Sequence, residues 1–460
     1  MSAARALVGL LIIGVGTSPA ALDTSLNIAL PSLTTAFAIE LGQVQWVVIS
    51  YTLTYASLML VFGRLGDIFG HRRVFRLGLV TTAAGLVAAG LAPGFGWLLG
   101  GRALQGLGVA LLLSCGPALA TSLYPERVRA RVLGAYGALF AIGTALGPLV
   151  GGMLLEEWGW SAVFLYRVPL VLLAFALSSL LPASSRQGVR AFDPVSAGLL
   201  AACISATLLA LASLQRDAAG AALIGVAAIA AFAALVGRER RAEEPIIPLA
   251  AVREVDIGTM HIAAVSVHAA SFAVLLLVPF YLSDIAGLAG TRGGLLLSLS
   301  ATGAIAGSLV AGRLAAPLGS RRIALTGAIV CAAGLAAIGR WTQHTLPLTQ
   351  CAALLVQGVG VGMFQVGYAD LVIAAIPIHN RGVAGSLVAV TRTMGVVAGA
   401  AGISAFFTQT HLKALAREVP ASEAFLAAFQ SSFSWTSVAL AAMLALTLVP
   451  SRIWLAKRSR

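Results

Sequence analysis

Apolar residues fill this chain in long stretches, each close to the roughly 20 residues that carry an α-helix across a bilayer core. Fourteen such runs can be read, near 6–31, 44–63, 74–96, 98–123, 131–155, 161–182, 195–214, 219–237, 257–283, 293–315, 322–342, 346–377, 382–408 and 431–450. Polar residues are confined to the short segments between them, of which the longest are 238–256 and 409–430. Neither is long enough for a soluble domain. The pattern predicts an all-α integral membrane protein whose activity resides in the bilayer or at its two faces.

Composition sharpens that picture. Of 460 residues, 59% are hydrophobic and 10% charged, with a mean hydropathy of +0.94. A soluble protein carries about 25% charged residues, so a water-soluble multidomain enzyme is excluded. The net charge of +13 would suit nucleic acid only if the cations were clustered on a polar domain, and they are scattered in small groups between runs. Their distribution instead reads as topology. With the N-terminus inside, 22 of the 30 Lys and Arg fall in inner segments and five in outer ones, which predicts N-in and C-in. Arg102, Arg167 and Arg392 fall within runs. Trp46, Trp97, Trp158, Trp160, Trp341 and Trp435 sit at the outer ends, where amphipathic rings prefer the interface. The first run carries an acid and resembles a membrane span more than a cleavable signal peptide. Cys115, Cys203, Cys331 and Cys351 lie in apolar stretches without a CxxC pair, as small apolar residues rather than a disulfide or metal site.

The chain also repeats itself. Gly63-Arg64-Leu65-Gly66-Asp67-Ile68-Phe69-Gly70-His71-Arg72-Arg73 recurs as Gly312-Arg313-Leu314-Ala315-Ala316-Pro317-Leu318-Gly319-Ser320-Arg321-Arg322, at an offset of 249 residues. Gln105–Val109 recurs as Gln357–Val361 at an offset of 252. One six-helix unit therefore occurs twice in the same orientation, a device of secondary transporters. The pair of runs at 195–237 is inserted between the copies. The expected domains are an N-terminal bundle (1–182), a linker with two additional helices (183–256) and a C-terminal bundle (257–460).

Four motifs and one weaker match resemble the major facilitator superfamily, in particular its fourteen-span drug:proton antiporter branch. Leu22-Asp23-Thr24-Ser25-Leu26-Asn27-Ile28-Ala29-Leu30-Pro31 is similar to the branch's first-helix signature. Gly63–Arg73 resembles the superfamily's loop between helices 2 and 3, and Arg102-Ala103-Leu104-Gln105-Gly106-Leu107-Gly108 its fourth-helix arginine motif. Gly143-Thr144-Ala145-Leu146-Gly147-Pro148-Leu149-Val150-Gly151-Gly152 resembles the fifth-helix motif associated with antiporters. Arg381–Gly385 with Arg392 and Gly395 is similar to the branch's thirteenth helix. One position departs: Phe164-Leu165-Tyr166-Arg167-Val168-Pro169 has arginine where the branch more often has Ile-Asn before Val-Pro. Such an arginine can favour an anionic substrate or reach lipid headgroups.

The motif residues have evident chemistry. A carboxylate inside a span is costly and usually functional, and Asp23 and Asp370 are the two acids placed well inside runs. Counting 1.5 Å per residue puts Asp23 roughly 25 Å from the inner face and Arg102 roughly 7 Å from the outer one. In a core about 30 Å thick these depths nearly coincide, so Arg102 is the expected partner in a proton-coupling pair. Asp370 is the expected second proton or cation site, with Arg392 as its partner. Asn27 shares the helix face of Asp23, and Gln105, Gln365, His268 and Arg392 are candidate substrate or cavity residues. His261 and His268, seven residues apart, share a helix face and are candidate proton relays or packing residues. In the loop motif, Gly63 and Gly70 permit close contact and a turn, while Asp67 and Arg72 belong to the gating latch that the resemblance implies. The second copy has Ala316 in place of Asp67. Gly143, Gly147, Gly151 and Gly152 form a small-residue stripe with Pro148 as a bend, expected to seal the two halves in one state.

These residues point to a secondary transporter rather than an enzyme: a proton-coupled efflux antiporter for a drug-like or amphipathic small molecule. Uptake of a sugar or organic acid by proton symport is the alternative. The expected partners are substrate, protons and the lipid bilayer, without nucleic acid, in a bacterial inner-membrane protein working as a monomer. No cofactor or metal is expected, the proton gradient supplying the energy.

Overall fold

In lipid every backbone N–H and C=O must be satisfied within its own segment, so long apolar runs become helices. The computed structural model bears this out over its described residues, 3–125, 129–181, 193–213, 218–239, 255–288, 290–375 and 381–448. These contain α1 (Ala3–Ala21), a 3₁₀ turn (Leu22–Ser25), α2 (Leu26–Phe37), α3 (Leu41–Phe69), α4 (His71–Gly90), α5 (Phe95–Ser122), α6 (Arg129–Trp158), α7 (Ala162–Leu165) and α8 (Arg167–Leu177). They continue with α9 (Pro194–Ser213), α10 (Ala218–Glu239), α11 (Val255–Phe280), α12 (Gly290–Leu318), α13 (Ser320–Ile338), α14 (Pro347–Ala375), α15 (Arg381–Leu415) and α16 (Ala421–Leu448). Among the described residues, twelve helical stretches are long and apolar enough to cross a membrane. The charged segment after α10 lies outside the described residues for the most part.

Two compact units divide the chain, Met1–Ala206 with Ala227–Leu235, and Thr207–Val226 with Val236–Arg460. The sequence repeat is visible in each. Gly70 and Gly319, equivalent positions of the repeated loop, both hold a positive φ (89° and 84°) where one helix stops and the next begins. Only glycine enters that region without a Cβ penalty. Backbones also approach at matched glycines: a Cβ on Gly85 would lie 2.6 Å from Gln105 Cα, and one on Gly334 would lie 2.6 Å from Gln357 Cα. Small residues thus join α4 to α5 and α13 to α14 in the same way, as expected where lipid leaves close packing to hold helices together.

The core of the first unit gathers Ile12, Ile13, Phe75, Leu79, Leu86, Leu112 and Leu119 from α1, α4 and α5. In the second unit a ring cluster forms around Trp341, which stacks with Phe429 and lies 5.1 Å from Tyr281. Trp341 is buried, unlike Trp97 and Trp158, which are exposed as an interfacial belt requires. Its place at a helix end was legible; its inward direction was not. The insert helix α10 exposes Leu223, Val226, Ile229 and Phe232, a face suited to acyl chains. The four cysteines are free, with Cys115 and Cys331 buried.

Candidate functional site

The site begins with a break in the first span. Between α1 and α2 the helix tightens into a single 3₁₀ turn at Leu22–Ser25, and Asp23 is its second residue. Against this turn lies the glycine stripe of α6. A Cβ added to Gly143 would meet Ala21 Cβ at 2.8 Å, one on Gly151 would meet the Ser25 carbonyl oxygen at 2.5 Å, and one on Gly147 would collide with Thr24 Oγ1. Thr24 Oγ1 in turn donates to the Thr144 carbonyl at 2.9 Å. The stripe therefore seats the carboxylate-bearing turn within the first unit. Pro148 is buried inside α6, whose helix continues through it to Trp158. Gly152 is buried beside Gly151.

Asp23 meets Arg102 as the depth count expects. Arg102 Nη1 donates to Oδ1 at 2.7 Å and Nη2 to Oδ2 at 2.8 Å, a two-pronged pairing with a planar carboxylate. The guanidinium is fixed from behind: Nε donates to the Val47 carbonyl at 2.8 Å, Nη1 also reaches Gln105 Oε1 at 2.6 Å, and the Tyr51 ring lies 4.2 Å from Cζ. Gln105 Nε2 donates to Asp23 Oδ1 at 3.1 Å, so Gln105 belongs to the carboxylate's shell. Asn27 is buried one turn on, without a hydrogen bond to this cluster.

A second arginine completes the arrangement. Arg167, at the start of α8, places Nη1 2.7 Å from Asp23 Oδ1 and 3.3 Å from the Pro19 carbonyl. Its side chain is 0% exposed, as is that of Arg102, against 13% for Asp23. The lipid-headgroup alternative for Arg167 is therefore overturned. Among the described residues, one carboxylate faces two guanidiniums, leaving an excess positive charge away from water.

The comparisons with known proteins agree on what scaffold carries this cluster. Residues 13–251 and 260–459 match the family described as the Major Facilitator Superfamily. The chain belongs to the Major Facilitator Superfamily. It is a multi-pass membrane protein of bacterial inner-membrane type and, by family, a transporter. It is 27% identical over 405 residues to the riboflavin transporter RibZ of Clostridioides difficile, covering 87% of this chain and 88% of that one. It is 30% identical over 390 residues to the tetracenomycin C resistance and export protein of Streptomyces glaucescens, covering 82% and 71%. The latter likeness accords with the drug-efflux branch that the motifs resemble. In fold it is similar to a bacterial homolog of the human lysosomal transporter Spinster, with a TM-score of 0.72, 14% identity and coverage of 99% and 98%.

On this major facilitator scaffold the charge cluster is confined, among the described residues, to one repeat. Gln357 repeats Gln105 and accepts a 2.7 Å hydrogen bond from the Ser300 hydroxyl, but buried Leu354 stands where Arg102 does in the first copy. The expected partnership of Asp370 with Arg392 is absent among the described residues. Asp370 is exposed and accepts a hydrogen bond from Ser320, the residue after the loop glycine Gly319, so it ties α14 to the repeated loop. Arg392 is exposed and acts electrostatically on His268. His268 is buried, with Nδ1 2.7 Å from the Ala264 carbonyl of its own helix, as a packing residue would be. His261 instead meets Tyr368 Oη at 2.6 Å and Thr391 Oγ1 at 2.9 Å through the same Nδ1. The two histidines do share one face of α11, yet only His261 joins a polar group on neighbouring helices. Gln365 is half-buried on α14.

In the loop motif, Gly70 makes the turn between α3 and α4, whereas Gly63 makes no close approach, a Cβ there coming no nearer than 4.0 Å to Ser114 Cβ; the side chains of Asp67 and Ala316 lie outside the described set. Arg72 spans from the start of α4 to the end of the sixth span, donating from Nε to the Ser178 carbonyl at 3.1 Å and from Nη2 to Ser179 at 2.8 Å. A cation at a helix C-terminus meets both the orphan carbonyls and the negative end of the dipole. Arg72→Ala is expected to lower stability by about 1 kcal/mol, read as a lower melting temperature in detergent, whereas Arg72→Lys should recover part of the loss.

Proposed function

We propose that this transporter is a proton-coupled exporter of drug-like or amphipathic small molecules, an antiporter working by alternating access through fourteen spans with both termini inside. The observation that carries the reading is the Asp23 carboxylate held by Arg102 inside a span. A proton on Asp23 cancels the negative charge that holds both Nη bonds of Arg102, so protonation and the pairing oppose each other. Loading Asp23 with a proton is thus linked to loosening of the arginine, and its return favours release of the proton. This opposition links proton movement to a shift of α5 relative to the 3₁₀ turn. The export direction is supported by the antiporter-type stripe on α6 and by the relative named as a resistance and export protein. The span count is supported by α3 and α9, which coincide with sequence runs and add to the twelve apolar stretches. The cation bias of the connecting segments supports the orientation. No cofactor is required in this scheme, and one copy of the chain suffices.

A second reading is proton-coupled uptake by symport, favoured by the likeness to a protein named a riboflavin transporter. Direction-resolved flux separates the two. In everted vesicles made acidic inside, exported compounds from a panel of antibiotics and dyes should drive protons out of the lumen as they enter. Collapse of the gradient by a protonophore should stop their accumulation. Accumulation that ignores the gradient would overturn the coupling, and proton and substrate moving in the same direction would select the symport reading.

A further inference from the structure

Arg167 does only half of what a guanidinium can do. Of its donors, Nη1 serves Asp23 and the Pro19 carbonyl, while Nε and Nη2 are fully buried and have no acceptor among the described residues. Guanidinium N–H groups are obligate donors and Arg stays charged, so leaving two of the three nitrogens unmatched away from water is costly. Nε and Nη2 are also not an arbitrary pair. Together they form the side-on edge of the guanidinium, whose parallel N–H bonds match the two oxygens of a carboxylate. The excess positive charge of the Asp23–Arg102–Arg167 cluster points the same way, because one further anion neutralises it without displacing Asp23. Aromatic surface lies close to the guanidinium: the rings of Phe164 and Tyr166 are centred 5.7 and 5.8 Å from Arg167 Cζ.

From this juxtaposition we propose that Arg167 is a specificity-determining residue that binds the carboxylate of an amphipathic organic acid on its Nε–Nη2 edge, beside Phe164 and Tyr166. This names a substrate class for the transporter proposed above and rests on that reading. It also gives the departure from the branch's usual Ile-Asn a purpose, since an asparagine carries no charge and offers no such two-nitrogen edge. The edge is closed to solvent in this conformation, so the acid docks as a fourth charge in a state of the transport cycle that opens it, with Arg102 remaining on Asp23.

The test uses an isosteric pair, 2-naphthoate and its neutral amide 2-naphthamide, with the full-length protein in nanodiscs. Wild type should bind the acid at least tenfold more tightly than the amide. Arg167→Gln should remove that preference, while Arg167→Lys, which keeps the charge and loses the edge, should retain a reduced one. Equal wild-type affinities, or an acid preference that survives Arg167→Gln, would overturn the proposal. The wild-type comparison needs no variant, so it decides even where Arg167→Gln fails to fold. Flux in proteoliposomes separates the two levels. Transport of both compounds with equal affinity would overturn the carboxylate site and leave the transporter reading standing. Acid-selective binding without movement of either compound would support the site and count against transport of this class.

Discussion

Asp23→Asn is expected to bring substrate-driven proton release to the level of vesicles lacking the protein. The amide cannot take up and release a proton in the working range, and its oxygen is a weaker acceptor for the three donors that converge on Oδ1. The same substitution leaves Arg102 and Arg167, both 0% exposed, without their counter-charge. Breaking a buried ion pair by removing one partner costs about 3–5 kcal/mol, so the melting temperature in detergent should fall as well. Loss of activity through unfolding must be separated from loss of coupling. Folded Asp23→Asn protein should still show substrate binding in nanodiscs while moving no protons. The coupling assignment fails if the folded variant releases protons on substrate addition at the wild-type rate. A double substitution, Asp23→Asn with Arg167→Gln, should melt higher than Asp23→Asn alone, because it removes one of the two stranded charges.

Depth arithmetic found half of this cluster and missed the other half for an identifiable reason. Residue counts along a helix give position along the membrane normal, and for Asp23 and Arg102 that was enough to predict a pair the structure joins at 2.7 Å. The same count places Arg167 at a comparable depth, seven residues after Trp160 where Arg102 is five after Trp97. A lone arginine after a tryptophan belt suits an anionic substrate and lipid headgroups alike, so the sequence leaves its direction open. Depth alone says nothing about which way round a helix a side chain points. That is why Asp370 and Arg392 pair by depth in the sequence yet part in the structure, where Asp370 bonds to Ser320 and Arg392 is exposed. Trp341 illustrates the same limit, ending on a helix terminus but facing inward onto Phe429. The helices, by contrast, were legible because lipid leaves an apolar run no other way to satisfy its backbone. The repeat was legible because both copies need glycine at the same positive-φ corner, Gly70 and Gly319.

Gly151→Ala is expected to cut transport at least tenfold although it adds only a single methyl group. The new Cβ would sit 2.5 Å from the Ser25 carbonyl oxygen and 2.8 Å from Ser25 Cα, so the obstacle is mainly backbone and cannot rotate away. Relief requires α6 to move off the 3₁₀ turn, or the turn to move off α6. Overpacking of this kind costs about 1–3 kcal/mol, and the turn that absorbs it is the one holding Asp23. A displacement of a few tenths of an ångström there would lengthen the bonds to Arg102 and Arg167 that define the site. Gly137→Ala on the same helix is the matched control: a Cβ there meets nothing within 4 Å, so activity should stay at the wild-type value and the melting temperature should hold or rise, alanine being the better helix former. Gly143→Ala should fall between them, its Cβ pressing on the Ala21 side chain at 2.8 Å rather than on the chain itself. Vesicle flux and melting measured across the three variants should thus rank them Gly137, Gly143, Gly151 in increasing damage. Wild-type transport by Gly151→Ala would show that the stripe packs helices without seating the carboxylate. Comparable losses at Gly137 and Gly151 would show that the close approach to Ser25 does not set the effect.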